Sequence, residues 1–172
     1  MAKQTIFGRI AQLTKANINS LLDSAEDPEM MLDQMVRDYT NSIADAEDAV
    51  AQTIGNLRLL EQDMAEDKAA VQEWGNKALA ASRKADEFRA AGHAADADKF
   101  DNLAKIALQR QLQYESEVTA AEPQIATQTQ VVEKLKTGLQ GMKLKLTELQ
   151  SKRSELAGRA KMAEAQSKVQ DA

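Results

Sequence analysis

Few residues of this 172-residue chain could do chemistry. His93 is its only histidine. General acid–base work or metal binding needs partners at fixed distance, and none stand at a useful spacing from it, so it reads as a solvated turn residue. Lys136-Thr137-Gly138 matches one piece of a penicillin-binding site, but the companion Ser-x-x-Lys and its strand context are absent. Gly138 and Gly141 lack the Gly-Lys-Ser/Thr ending of a phosphate loop. Most of the 27 acids fall on helix-surface positions and read as a solvated face. With no cysteine, disulfides and thiolate metal sites are excluded. The expectation is a protein that is not an enzyme and holds no cofactor or metal.

What remains is surface chemistry at the start of the chain. Residues 1–22 carry Lys3, Arg9 and Lys15 and no acid, whereas the rest has 19 bases against 27 acids. A basic arm on an acidic body is the pattern of an arm that meets an anionic surface. At 100° per residue, Ile6, Phe7, Ile10, Leu13, Ile18, Leu21 and Leu22 gather on one half of a helical wheel. Thr5, Arg9, Gln12, Asn19 and Ser20 take the other half, with Gly8 and Lys15 at its edge. This predicts one short amphipathic helix over residues 5–22. Gly8, Asn17 and Asn19 weaken it, so it should be ordered mainly when its apolar half is covered.

Two covers are open. The arm can pack on the rest of the chain as a third bundle element, or lie on an anionic membrane with its bases near the headgroups. Each base contributes about 1 kcal/mol beside an anionic leaflet. The absence of acids before Asp23 favours the membrane. The candidate membrane-binding set is therefore Lys3, Ile6, Phe7, Arg9, Ile10, Leu13, Lys15, Ile18, Leu21 and Leu22.

The element that must carry this arm starts after a break at residues 23–27. Asp27 followed by Pro28 pairs an N-cap acceptor with the residue that lacks a first-turn donor. From Leu32 to Phe88, steps of four and three visit seventeen positions, fifteen of them apolar, with Thr53 and Asp67 the exceptions. A 3.5-residue spacing sustained this long keeps one narrow seam against a partner helix. Gly92 ends this helix, with Arg83, Lys84 and Arg89 in its last turns. A second stripe from Phe100 to Leu156 is apolar at fourteen of seventeen positions.

Two equal stripes around a short turn near residues 92–95 predict an all-α, antiparallel coiled-coil hairpin over residues 28–157. Setting Phe88 against Phe100 also pairs Ala85 with Ala104, Trp74 with Tyr114, Leu57 with Val132, Ile43 with Leu146 and Leu32 with Leu156, leaving no stripe residue over. These are the candidate seam residues. Asp67 then faces Ala121, two positions from Pro123, so a soft point is expected there. Residues 158–172, polar and Ala-rich, are a helical extension or the start of a further helix. Off the seam, Met31, Met35, Ile54, Leu59, Leu108 and Leu112 predict lateral contacts between copies.

Composition agrees with long helices rather than a compact core, with aromatics at 3% and two prolines. No apolar run approaches the roughly 18 residues of a spanning helix. The N-terminus lacks a continuous apolar core and a small-residue cleavage pattern, so no signal peptide is expected.

Ala16-Asn17-Ile18-Asn19, then Leu21-Leu22 and Ala25-Glu26-Asp27-Pro28, resemble the N-terminal signature of the family of phage shock protein A and the vesicle-inducing protein in plastids. Trp74 with Lys77-Ala78, the run Glu133-Lys134-Leu135-Lys136, and Lys152-Arg153, Leu156 and Arg159 extend the resemblance over nearly the whole chain. The resemblance implies a bacterial relative of the ESCRT-III membrane-remodelling proteins, peripheral on the cytoplasmic face of the inner membrane. It implies binding of anionic lipids through the first helix and homo-oligomers in the form of rings or rods. No nucleic-acid partner is implied. The alternative it carries is a soluble regulator that binds and inhibits a AAA+ transcription activator. Family members commonly continue after the hairpin with further helices used in subunit contacts.

Overall fold

The structure, a computed structural model, describes residues 5–171, and of the candidate residues only Lys3 lies outside them. The described residues form four helices and no strand: α1 (Ile6–Lys15), α2 (Ile18–Asp23), α3 (Pro28–Ala90) and α4 (Ala94–Asp171). The two long helices, of 63 and 78 residues, pack against each other as the expected helical hairpin. Their contacts divide between two compact units. One takes in the described residues up to Thr53 with those from Val131 on, and the other is Ile54–Gln130.

In the first unit the start of α3 forms as its capping residues dictate. Asp27 Oδ1 accepts from the Met30 amide at 3.2 Å, Pro28 follows where no donor is needed, and Glu29 sits in the first turn. The core below holds Ile18, Leu32, Val36, Tyr39 and Leu149, with Leu13, Leu22, Met35, Leu146 and Leu156 packed against it. Residues from four helices thus share one core, although the seam pattern alone involves two. Ala46, Leu135 and Met142 continue the buried stripe away from that cluster. Asp33–Arg153 at 3.8 Å and Glu47–Lys143 at 3.5 Å bridge the long helices at the surface, where such pairs contribute little. Both bridges fall within two positions of the pairing that sets Phe88 against Phe100.

In the second unit α3 closes on a Schellman motif. The His93 amide donates to the Phe88 carbonyl at 2.8 Å and the Gly92 amide to that of Arg89 at 3.2 Å. This places Gly92 at φ +81°, a conformation that an L side chain would strain. Phe88 and Phe100 stack with centroids 5.4 Å apart, the layer that defines the register. Arg89 bridges to Asp101 at 2.5 Å just beyond it. Ala78, Ala85, Ala97, Ala104 and Ala107 are buried here, so small side chains let the backbones approach.

Three features depart from or refine the sequence reading. The arm is two helices rather than one over residues 5–22, because Ala16 and Asn17 are extended and Asn17 caps α2 with its side chain. Asparagine in a helix interior competes for backbone hydrogen bonds, and here it wins. Helix α4 passes through Pro123 without a break. It also continues past Gly158 to Asp171 as a fully exposed extension rather than a separate helix.

Candidate functional site

The arm sits on the hairpin of the first unit. Thr5 starts α1, its Oγ1 accepting from the Gly8 amide at 3.2 Å, and Asn17 Oδ1 starts α2 by accepting from Ser20 at 3.1 Å. The turn between them lets both short helices aim apolar side chains inward. Ile10 is 5% exposed and Ile18 1%.

Ile10 and Thr14, one turn apart on α1, face Gly138 and Gly141 on α4. A Cβ at Gly138 would overlap Ile10 Cγ2, and one at Gly141 would lie 2.7 Å from Thr14 Cγ2. Two glycines three positions apart open a notch on one face of α4, and α1 fills it. From α3, Tyr39, 2% exposed, donates its phenolic proton to the Leu13 carbonyl at 2.6 Å. Burial first, and the Glu148 carboxylate second, push the Tyr39 hydroxyl above its ordinary value, so it remains a donor. Thr14 Oγ1 is buried without a hydrogen-bond partner among the described residues, as is Ser42 Oγ.

The candidate membrane-binding set is therefore divided. Ile10 and Ile18 are turned into the hairpin, and Ile6, Leu13 and Leu22 are half-buried. Phe7 at 41% and Leu21 at 38% remain exposed, as do Arg9 and Lys15. Lys3 lies outside the described residues. Of the seam candidates, Leu32, Ile43 and Val132 are buried, while Leu57, Trp74, Phe88, Phe100, Tyr114, Leu146 and Leu156 are half-buried. Lys77 lies 4.4 Å over the Trp74 ring. Met35, expected as an exposed off-seam residue, instead packs on the core that Ile18 shares.

Among the described residues no group of acids and His93 could hold a metal ion. His93 instead sets its ring edge-on to Phe88 at 6.2 Å. No described helix is long and apolar enough to cross a membrane. Sequence reasoning missed Tyr39 as a donor to the arm and Gly138 with Gly141 as its seat. The available signal was two glycines at i,i+3 inside a strongly helical stretch, where each costs about 1 kcal/mol relative to alanine.

A hairpin with an amphipathic arm is a widely used arrangement, and comparison with known proteins decides which family this one represents. Residues 5–172 match the PspA/IM30 family. The chain belongs to that family. It is similar to the membrane-associated protein Vipp1 of Synechocystis, 30% identical over 165 residues, or 96% of this chain and 57% of that one. A phage shock protein A homolog of Deinococcus radiodurans is 31% identical over 161 residues, covering 94% of this chain and 66% of the relative. The chloroplastic membrane-associated protein VIPP1 of Arabidopsis thaliana is 27% identical over 99% of this chain and 47% of its own length. The chain thus spans between about half and two thirds of the length of these relatives.

Proposed function

We propose that this member of the PspA/IM30 family is a non-enzymatic, peripheral membrane protein whose arm binds anionic lipid, and that copies assemble along their hairpins to maintain or remodel the bacterial inner membrane under stress. The carrying observation is the arm itself. It is acid-free up to Asp23, and even when packed on the hairpin it keeps Arg9, Lys15, Phe7 and Leu21 exposed. Bases and apolar side chains together are what an interfacial helix presents to headgroups and acyl chains. Relatives named as membrane-associated, in cyanobacteria and chloroplasts, support the reading. Assembly is supported by Leu59, Leu108 and Leu112, which stand exposed off the seam.

Flotation with phosphatidylglycerol-containing vesicles tests the lipid reading. The full chain should float with anionic vesicles and not with purely phosphatidylcholine vesicles, and a chain lacking residues 1–22 should stay at the bottom. Equal flotation of the shortened chain would show that the hairpin, not the arm, holds the lipid.

A further inference from the structure

The packed arm buries Ile10, a residue of the apolar half that lipid binding would use. We propose that the Gly138–Gly141 notch on α4 and the Tyr39 hydroxyl on α3 form an intramolecular dock that keeps α1 closed on the hairpin, so that lipid binding requires α1 to leave it. This rests on the lipid reading of the arm and adds its regulation.

Mutual exclusion follows from burial. Ile10 belongs to the apolar half that would enter the membrane, and it is 5% exposed with its Cγ2 seated against Gly138. A helix cannot bury the same residues in the notch and in acyl chains at once. The notch is also specific. Gly55 and Gly158 lie in the long helices with nothing within 4 Å of an added Cβ, and Gly75 meets only the flexible side chain of Gln111. Gly138 and Gly141 alone among the hairpin glycines are filled by side chains of the arm.

The dock is built to release. Thr14 goes into it with its hydroxyl buried and unpartnered, a penalty that undocking removes because the hydroxyl then meets water or headgroups. Gly8 weakens α1 as a free helix, and the extended residues Ala16 and Asn17 supply a hinge between α1 and α2. A ligand that takes only the open arm shifts this equilibrium, and its apparent affinity falls by the fraction of chains that are open.

A reversible clamp tests the dock. The chain has no cysteine, so Thr14→Cys with Gly141→Cys introduces the only pair. The Cβ of Thr14 lies 3.6 Å from a Cβ built at Gly141, within the roughly 3.5–4.5 Å of a disulfide. Replacing Thr14 also removes the Cγ2 methyl that the new Cβ would meet.

The oxidised monomer should lose flotation with phosphatidylglycerol vesicles by about tenfold or more, and dithiothreitol should restore it. As a converse, Gly138→Ala with Tyr39→Phe leaves the arm's sequence untouched and should raise vesicle affinity severalfold, with circular dichroism confirming that the hairpin stays helical. Failure of the pair to oxidise within one chain, or flotation that needs the arm yet is equal in both redox states, overturns the dock while the lipid reading stands. Flotation that neither reduction nor removal of residues 1–22 alters overturns the lipid reading and the dock with it.

Discussion

Tyr39 finishes a helix 26 positions away in sequence, its hydroxyl donating to the Leu13 carbonyl at 2.6 Å. Leu13 lies in the last turn of α1, where carbonyls have no intrahelical partner. A side chain of α3 thus supplies the cap that α1 lacks. Removing it with Tyr39→Phe should cost about 1 kcal/mol of docking and leave the hairpin folded. Amide exchange in α1 should then quicken by roughly fivefold while that of α3 and α4 stays unchanged.

The burial of the same hydroxyl fixes a pH dependence. Burial, and then Glu148, raise Tyr39 above its ordinary value of 10.0. A hydroxyl raised in the folded state stabilises the docked form fully below that value, and the contribution is lost as pH rises through the folded one. Absorbance titration of the wild type should show a phenol ionising above the ordinary tyrosine value, and Tyr39→Phe should remove that phase. Tyr39 titrating at its ordinary value would mean that its hydroxyl is not buried against the arm.

The hairpin was legible in the sequence because a coiled-coil seam is a periodic signal repeated over many turns, and Asp27-Pro28 and Gly92 mark its ends by local backbone chemistry. The docking of the arm was not. It depends on a notch whose two glycines are informative only when the opposing Ile10 and Thr14 are in place. Periodicity reports that a face is apolar and not which surface covers it. The break at Asn17 left only a faint trace, a single asparagine between Ile6 and Ile10 on the apolar half of the wheel, because a wheel drawn for one continuous helix does not report capping. The division of the arm between buried Ile10 and exposed Phe7 therefore had no sequence signal of its own.

The pairing of the two stripes is tested by a second cysteine pair. Ala85→Cys with Ala104→Cys should close within one chain, because both are buried and that register pairs them in the layer next to the Phe88–Phe100 stack. A fast-migrating, reducible monomer on denaturing gels is the expected result. Cross-linking of Ala85 a heptad away from Ala104 would require a different register.

Assembly should depend on the apolar residues that the hairpin leaves uncovered. Leu108 and Leu112, one turn apart on α4, are both exposed. Leu108→Glu with Leu112→Glu should shift sedimentation toward the monomer at concentrations where the wild type is larger, without loss of helicity. A wild type that sediments as a monomer at high micromolar concentration would remove the ground for this surface.

The arm's two kinds of contact can be separated by their response to salt. Phe7 and Leu21 stay exposed while α1 and α2 are packed, so Phe7→Ser with Leu21→Ser spares Ile10, Ile18 and the dock. Burial of an apolar side chain of this size contributes about 1.5–3 kcal/mol, so this variant should lose vesicle binding by a hundredfold or more at any salt. Arg9→Glu with Lys15→Glu acts on the electrostatic part, at about 1 kcal/mol per base beside an anionic leaflet. It should weaken binding by at least roughly thirtyfold in low salt and by much less in high salt, where screening has already removed the attraction. Vesicle titration at two ionic strengths distinguishes them, because the serine variant shifts both curves alike and the glutamate variant brings them together. A glutamate variant that keeps the wild-type salt dependence would place the lipid-facing bases elsewhere on the chain.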